Sequence, residues 1–462
     1  MNKKIVTLMA ILSAFAVSLT ACSKNNEKGN DTAQTQSEQT IVETDYHFKF
    51  SSALINDESG KPFEYSYDLP YASLSFANSG TIFNKDLAKL SFAFTVLSDS
   101  KEKINDIYTK FGFDHIVNSS DYDQVETKDT IQYTIGHKSI DGVDVIALSM
   151  NAMNYKLPWA NNLTIGKTGN HAGFQSGANI VLAGLNSYLA SYSNVNTRKI
   201  WINGYSRSAA VGDIVAYTLV DNGLVKEDNL YAYLFETPQG VDVSNTKEYK
   251  SIFNIINSGD VVTYVAPTIY GFKRVGIDVD LYSETMDSTL KEFNENLVLS
   301  PFTASEDKYS NESELINYLI GKLATEVTSD NPEEESRDLS TRDNYVDYYQ
   351  EHIAYLIGLV MSLKAETIMA IQDSFEKLTL LGKMALMGED GFYDFLKPIL
   401  DAQEETYDDE SLRLSLNRLL DIIQIAPEIL LLVMDETTQE SLMRCIQLHS
   451  PEVVFPLLLA LN

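Results

Sequence analysis

The chain has 462 residues, which is enough for one large α/β domain with insertions or for two domains. It carries 65 acidic and 35 basic residues, a formal net charge of -30, and no cluster of lysine and arginine of the kind that binds phosphates. A nucleic-acid partner is therefore not expected.

The first 21 residues predict a secretory signal peptide, because two lysines precede an apolar run over residues 5–17 that is followed by small residues. The sequence LTAC at residues 19–22 resembles the lipobox of bacterial lipoproteins, which implies cleavage before Cys22 and a lipid on that cysteine. A short cleaved signal with an incidental cysteine is the alternative. Residues 22–44 are polar and predict a flexible tether. We therefore expect a lipid-anchored protein at the extracytoplasmic face of a bacterial cell membrane.

Helix and strand patterns mix over residues 45–280, where we expect the folded core. Helices are predicted over 84–97, 100–111, 177–192 and from Arg207 to residue 220, and strands over 130–137, 143–150, 199–205, 230–235 and 252–257. Strands and helices that alternate with short connections predict a mostly parallel sheet covered by helices on both faces.

Residues 281–447 have few strand patterns, and they show long helical patterns around 313–327, 345–381, 391–402 and 411–433. We interpret this segment as a helical insertion and residues 448–462 as the closing part of the core. Two interpretations of the insertion stay open. It is either a lid over the C-terminal edge of the sheet, with apolar residues such as 422–433 facing the site, or a bundle packed beside the sheet for stability.

The sequence GYSRS at residues 204–208 lies at a predicted strand-to-helix turn. A serine at this corner can be an ordinary N-cap of the next helix. It can also be a nucleophile, because small residues two before and two after it allow a turn sharp enough to raise the hydroxyl above the sheet edge. Gly204 and Ser208 occupy those two positions around Ser206, with serine where the usual pattern has a second glycine.

A serine nucleophile needs a base and an acid, in the chain order Ser, Asp or Glu, then His on an α/β-hydrolase fold. Four of the six histidines precede Ser206, which leaves His352 and His449. His352 lies in a helical pattern with large apolar neighbours, whereas His449 lies in a loop before a capped last helix. Asp260 follows the apolar strand IFNIIN at the edge where open α/β sheets place their sites. We therefore favour His449 as the base and Asp260 as the acid, with a linker histidine and a surface-turn aspartate as the alternatives.

Five stretches together carry a family resemblance: INGYSRSAA, YLFETPQG, NIINSGDVVTYVAP, HAGF at 171–174 and the terminal HSPE. They resemble the class 3 (fungal lipase-type) lipase-like group of α/β-hydrolases, in the form common among surface proteins of Gram-positive anaerobes. The resemblance covers about residues 45–280 and the last fifteen. It implies Ser206 as nucleophile, Asp260 as acid and His449 as base, acting on an ester or lipid substrate. No cofactor and no metal ion is expected.

The predicted oxyanion hole departs from the family pattern. Its expected donors are the backbone N–H groups of Arg207 and of Ala152 and Met153. The family usually has an Arg-Gly-Thr-like turn where this chain has Asn151-Ala152-Met153. The favoured function is a membrane-anchored serine ester hydrolase of lipase or carboxylesterase type that acts through an acyl-enzyme. A peptidase or thioesterase with the same triad, and a non-catalytic lipoprotein that keeps the fold, are the alternatives.

Overall fold

A computed structural model describes residues 44–56, 62–124, 127, 129–151, 158–192, 194–266, 268–295, 297, 299–305, 307–326, 339, 341–379, 382–383, 386–425 and 435–461. The predicted signal peptide, Cys22 and residues 23–43 of the tether lie outside the described residues, as do Ala152 and Met153 of the predicted oxyanion hole. None of the helices in the described ranges combines the length and the apolar character that crossing a bilayer requires.

The structure contains strands and helices in alternation up to residue 280 and mainly helices after it. The described strands are β1 Thr44–Asn56, β2 Pro62–Tyr71, β3 Asp114–Asn118, β4 Gln132–Ile140, β5 Val143–Asn151, β6 Lys199–Tyr205, β7 Leu230–Phe235, β8 Val241–Asp242, β9 Ile252–Ile256, β10 Phe272–Lys273 and β11 Ile277–Asp280. The longer described helices are α1 Lys85–Leu97, α2 Lys101–Lys110, α3 Ala172–Leu189, α4 Arg207–Asp221, α5 Met286–Phe293, α6 Glu312–Glu326, α7 Gln350–Ser362, α8 Ala365–Glu376, α9 Gly391–Ala402, α10 Asp409–Ile425, α11 Glu436–Gln447 and α12 Pro451–Ala460.

Seven strands form the central sheet in the order β11-β9-β7-β6-β5-β4-β3. Strands β5, β6, β7, β9 and β11 run parallel to one another, and β4 and β3 extend the sheet antiparallel at one edge. This arrangement confirms the predicted α/β-hydrolase class with its mostly parallel sheet. The C-terminal ends of β6, β7 and β9 lie side by side, and the residues that follow them meet at one edge.

Alternate side chains of each strand enter two different apolar cores, as the period of two along a strand requires. On β6, Ile200 and Ile202 belong to the core that α3 and α4 cover, whereas Trp201 belongs to the core under α1, α2 and α12. Buried residues from α6 to α11 are part of the first of these cores. The helical segment is thus packed continuously with one face of the sheet.

The sequence analysis placed helix α5 in the helical insertion. In the structure, α5 packs instead against α12, in the core under α1. The long helical pattern over 345–381 is also divided, into a π-helical turn at Tyr345–Tyr349, α7 and α8. The break between α7 and α8 has a tertiary cause: the Lys364 N–H, at the N-cap of α8, donates to a Glu405 carboxylate oxygen at 2.9 Å. Residues 331–338 and 426–433 lie outside the described residues.

Candidate active site

Ser206 occupies a strained corner between β6 and α4. Its φ of 55° and ψ of -128° are values that residues other than glycine rarely adopt, and its side chain makes no capping hydrogen bond. A Cβ on Gly204 would lie 2.6 Å from the Ser208 carbonyl oxygen and 2.9 Å from the Ala209 nitrogen, so strand and helix approach as closely as only glycine allows. The geometry is that of a nucleophile elbow rather than of an ordinary N-cap.

Ser208, which stands where the usual pattern has a second glycine, uses its hydroxyl to close the elbow. Its Oγ is buried and accepts from the Tyr205 N–H at 2.8 Å. The hydroxyl hydrogen has two carbonyl acceptors, Tyr205 at 2.8 Å and Met150 at 3.2 Å. The contact with Met150 ties the elbow to the end of β5, where the predicted oxyanion turn begins.

The structure brings together the three residues that the sequence analysis selected as a triad. Ser206 Oγ lies 2.8 Å from His449 Nε2, and His449 Nδ1 lies 2.5 Å from Asp260 Oδ2. Asp260 is fully buried and its Oδ1 accepts from the Val262 N–H at 2.8 Å. With Nδ1 hydrogen-bonded to a carboxylate, Nε2 is left as the acceptor for the serine proton.

His352, the other histidine that follows Ser206, lies elsewhere. Its Nδ1 is 3.2 Å from Ser415 Oγ, between α7 and α10, and burial lowers the pKa of its imidazole. His171, from the HAGF stretch, is fully buried at the N-terminus of α3, with Nε2 3.0 Å from the Asn162 carbonyl oxygen. Burial lowers the pKa of His171 to about 3, so it is a neutral structural residue.

Tyr205 is hydrogen-bonded to the loop that carries His449. Its hydroxyl donates to the His449 carbonyl oxygen at 3.0 Å, and the two rings meet edge to face with their centroids 5.8 Å apart. Burial, with the nearby carboxylates of Glu236, Asp260 and Glu452, raises the pKa of Tyr205 well above its usual value. The hydroxyl therefore remains a donor throughout the ordinary pH range.

Sequence reasoning missed Glu236, which follows β7 directly and lies beside the triad. Its side chain is fully buried, its φ is 45°, and its Oε2 accepts from the Asn257 N–H at 3.0 Å. Burial and the neighbouring Asp260 raise its pKa well above the usual range. The signal was present in YLFETPQG, since an acidic residue at the end of a strand beside the nucleophile's strand falls at the same sheet edge.

One ligand atom each from Glu236, Asp260 and His449 lie within 4.8 Å of one another, which raises the question of a cation site. A metal ion bound by both His449 and Asp260 would separate their ligand atoms by more than the 2.5 Å observed. This direct hydrogen bond fits a proton between the two groups and does not fit a metal ion.

Arg207 carries one of the predicted oxyanion donors, its backbone N–H group. It is the first residue of α4, where backbone N–H groups have no partner within the helix. Its guanidinium is buried away from the serine and donates to the carbonyl oxygens of Thr130 at 2.7 Å and Gly173 at 3.4 Å. The contribution of the backbone of Ala152 and Met153 falls outside the described residues.

The helical segment is attached to the rest of the chain at two places. Arg342 donates to the carbonyl oxygens of Ile165 at 2.9 Å and Gly169 at 3.0 Å, and the Gln350 side chain accepts from the Ile165 N–H at 2.7 Å. At the second place, α11 packs against the helical turn Val261–Tyr264 that follows the acid. The segment is thus fastened to the loop before α3 and to the turn after Asp260.

A buried ionic cluster fixes α11, from which the chain passes directly to His449. The Arg444 guanidinium contacts the Glu312 carboxylate, and it lies 2.6 Å from Asp287. Tyr282 donates its hydroxyl to Glu312 at 3.0 Å. Because Arg444 and Glu312 are both nearly inaccessible to solvent, removing Arg444 would leave the Glu312 carboxylate buried without its ion-pair partner.

Comparison with known proteins gives one family match and several structural ones. The family model for class 3 lipases matches residues 139–270, a segment that contains Ser206, Asp260 and Glu236. A comparison with curated proteins found no match.

Three fungal enzymes are among the solved structures that resemble the chain. A fungal lipase in complex with an inhibitor is 17% identical, with a TM-score of 0.32 over 42% of this chain and 76% of its own. A triacylglyceride lipase from Rhizomucor miehei is 18% identical, with a TM-score of 0.32 over 43% and 79%. A lipase from Rhizopus microsporus var. chinensis is 15% identical, with a TM-score of 0.30 over 42% and 72%.

Similarity at this level says nothing about substrate. The family match is stronger, because it covers the elbow, the strands β6, β7 and β9 and the acid that follows them. The resemblance recognised in the sequence is confirmed over residues 139–270, the segment that matches the class 3 lipase family model, and the fold is that of an α/β-hydrolase.

Proposed function

We propose that the protein hydrolyses carboxylic esters outside the cell by serine catalysis of lipase or carboxylesterase type, anchored to the membrane through Cys22. The observation that supports the chemistry best is the continuous hydrogen-bonded path from Ser206 through His449 to the buried Asp260. It begins at a serine whose backbone is held in a strained conformation that leaves the side chain free of capping.

The proposed reaction proceeds through an acyl-enzyme. His449 Nε2 takes the Ser206 hydroxyl proton as Oγ attacks the ester carbonyl carbon, and the Asp260 carboxylate stabilises the resulting imidazolium. The Arg207 N–H, with the backbone of Ala152 and Met153, would donate to the oxyanion. His449 then returns the proton to the departing alcohol. A water molecule, deprotonated by the same nitrogen, hydrolyses the ester on Ser206 and restores the enzyme.

The helical segment is proposed to cover the site. It is fastened to the loop 163–169, which begins ten residues after Met153 of the predicted oxyanion turn, and to the turn after Asp260. Both attached segments lie on the side of the C-terminal strand ends, because the loop follows β5 and the turn follows β9. Ile422 is buried in the apolar core, while residues 426–433, most of the predicted site-facing stretch, lie outside the described residues. A cover of this kind would exclude water and shape the acyl-binding cavity.

The anchor is proposed from the lipobox-like sequence and the polar tether behind it. Acylation of Cys22 would place the hydrolase within reach of a membrane surface. Cys22→Ala is expected to prevent incorporation of labelled fatty acid and normal cleavage of the leader. Continued labelling of that variant would exclude Cys22 as the acylated residue.

The catalytic proposal is tested by hydrolysis of short p-nitrophenyl esters. Ser206→Ala and His449→Ala are each expected to lower kcat by roughly 10⁴-fold or more, with the double variant no worse, because a triad acts as a unit. His352→Ala is the matched control, since His352 bonds Ser415 within the helical segment. Full activity in His449→Ala, with loss in His352→Ala, would reassign the base. Absence of hydrolysis in the wild type would favour the non-catalytic interpretation.

A further inference from the structure

A second buried carboxyl group lies against the acid of the triad. Glu236 and Asp260 are both fully inaccessible to solvent, and their carboxyl oxygens and a His449 ring nitrogen lie within 4.8 Å of one another. Glu236 Oε2 is satisfied by the Asn257 N–H, while Oε1 has no donor among the described residues. Two ionised carboxylates at this separation repel strongly when both are buried from solvent, so one of them must hold a proton.

The donors around the pair decide which group is neutral. Asp260 accepts one hydrogen bond from the Val262 N–H and one from His449 Nδ1, whereas Glu236 accepts only from the Asn257 N–H among the described residues. The carboxyl with more donors is the better anion. Burial, the charge of Asp260 and a side-chain hydrogen bond with Asp260 all raise the pKa of Glu236.

Of the other titratable groups near Glu236, Asp280 also raises its pKa and Tyr205 is uncharged. Asp280, on the edge strand β11, adds to the rise in the pKa of Glu236. Tyr205, on β6, keeps its proton because burial raises its pKa well above the usual value. His449 is hydrogen-bonded to Asp260 rather than to Glu236.

The backbone at Glu236 is also held in a costly conformation. Its φ of 45° lies in the left-handed region that favours glycine, and its N–H donates to the Ile255 carbonyl oxygen on β9 at 2.9 Å. Strain of this kind persists where the surrounding structure over-determines it and concentrates at functional sites. Here the strain aims a carboxyl group at the triad.

We propose that Glu236 is a positioning residue of the triad, in which its neutral carboxyl group donates a hydrogen bond through Oε1 to the Asp260 carboxylate. This inference rests on the proposed function of Ser206, Asp260 and His449. The Glu236 proton stays on Glu236 throughout the cycle, and the only proton that moves is the one exchanged between Ser206, His449 and the leaving alcohol or water. Asp260 thereby keeps its charge and its orientation towards His449 Nδ1 without solvent.

Two substitutions separate this role from simple packing. Glu236→Gln keeps a donor to Asp260 and an acceptor for the Asn257 N–H, and Glu236→Met keeps the approximate volume without a donor. We expect Gln to retain a kcat close to that of the wild type. Met is expected to lower kcat roughly ten- to a hundredfold with KM unchanged, the effect of losing a hydrogen bond to a charged group. A packing role would instead give both variants the same kcat.

Infrared spectroscopy tests the protonation state without relying on activity. The wild-type minus Glu236→Gln difference spectrum at neutral pH should contain the C=O band of a protonated carboxylic acid. Asp213→Asn is the matched control, because Asp213 is a second fully buried acid, bonded to the Val275 N–H at 3.1 Å, away from the triad. It should remove an acid band of its own and leave kcat unchanged.

The two measurements also distinguish failure of this inference from failure of the proposed function. An ionised carboxylate band for Glu236, or equal kcat values for the wild type, Gln and Met, would overturn the positioning role while Ser206-dependent hydrolysis stands. If the wild type does not hydrolyse esters, the proposed function fails. The infrared band still decides whether Glu236 donates to Asp260, since an ionised group has no proton to donate.

Discussion

Removing the hydroxyl group of Tyr205 should impair catalysis by loosening the loop that carries His449. In the wild type this buried hydroxyl donates to the His449 carbonyl oxygen at 3.0 Å. Tyr205→Phe keeps the ring, its packing against Phe92 and its edge-to-face contact with His449. The change therefore isolates the support of the histidine loop.

The magnitude follows from two effects. Loss of one partner of a buried hydrogen bond costs about 1–3 kcal/mol of stability. A loop freed by this loss lets His449 Nε2 move from its 2.8 Å contact with Ser206 Oγ, and a misplacement of about 1 Å in a catalytic group can cost on the order of 10²-fold in rate. We expect kcat to fall by roughly tenfold or more, with KM unchanged, because the hydroxyl binds the backbone of His449 and so supports this residue rather than the substrate.

Tyr233→Phe provides the matched control. Tyr233 is also fully buried, in the same apolar core, and its hydroxyl accepts from the Asn84 N–H at 3.0 Å, at the start of α1. Steady-state hydrolysis of a p-nitrophenyl ester and urea unfolding are measured for both variants. Similar losses of unfolding free energy, with a fall in kcat for Tyr205→Phe alone, are the expected result. Equal kcat values for the two variants would refute the support that Tyr205 gives to His449.

Three further substitutions test other parts of the account. Gly204→Ala should lower the free energy of unfolding by about 1–3 kcal/mol or more in urea, because its Cβ meets the Ser208 carbonyl at 2.6 Å; unchanged stability would show that the elbow is not tight. Burial raises the pKa of Asp213 to about 8, so the folded state keeps a proton that the unfolded state has lost. Stability should therefore fall as pH rises from about 4 to 8, by up to about 1.4 kcal/mol per pH unit, and unfolding of Asp213→Asn at several pH values should show a smaller slope. Arg342→Met should speed proteolysis within residues 341–447 relative to the core, because it removes the hydrogen bonds to Ile165 and Gly169; equal cleavage rates would argue against this attachment.

The grouping of Ser206, His449 and Asp260 was predictable because the chain offers few choices. With only six histidines and a fixed order of nucleophile, acid and base, the position of Ser206 left two candidate bases, and local sequence favoured His449. The acid followed from its place at the end of a strongly apolar strand. The structure adds the contacts, which spacing in the sequence cannot give. Ser206 and His449 are 243 residues apart in the chain and 2.8 Å apart in space, and His449 and Asp260 are 189 residues and 2.5 Å apart.

Glu236 escaped prediction for a physical reason. It is one of 65 acidic residues, and its burial depends on the C-terminal ends of β7 and β9 lying side by side, which the sequence does not state. The edge strand β11 was missed as well, because its sequence IDVD is largely exposed and has no apolar run. Tertiary pairing, rather than local propensity, makes it a strand.

In the helical segment, hydrophobic periodicity predicted the helices but not where they break or what they pack against. The helical patterns were found, but the pattern over 345–381 gave no sign of the break at Leu363, which is made by contacts with residues 403–405. Nor did the sequence indicate that α5 packs with α12 rather than with the rest of the segment. Each of these features depends on a distant partner.

The central claim is that Ser206 is a nucleophile activated by His449, and covalent labelling tests it most directly. The protein is treated with a fluorophosphonate probe, and the modified residue is located by peptide mass spectrometry. The account predicts one adduct, on Ser206, that is absent in Ser206→Ala, strongly slowed in His449→Ala and unchanged in His352→Ala. An unlabelled wild type, or an adduct on a different serine, would contradict it.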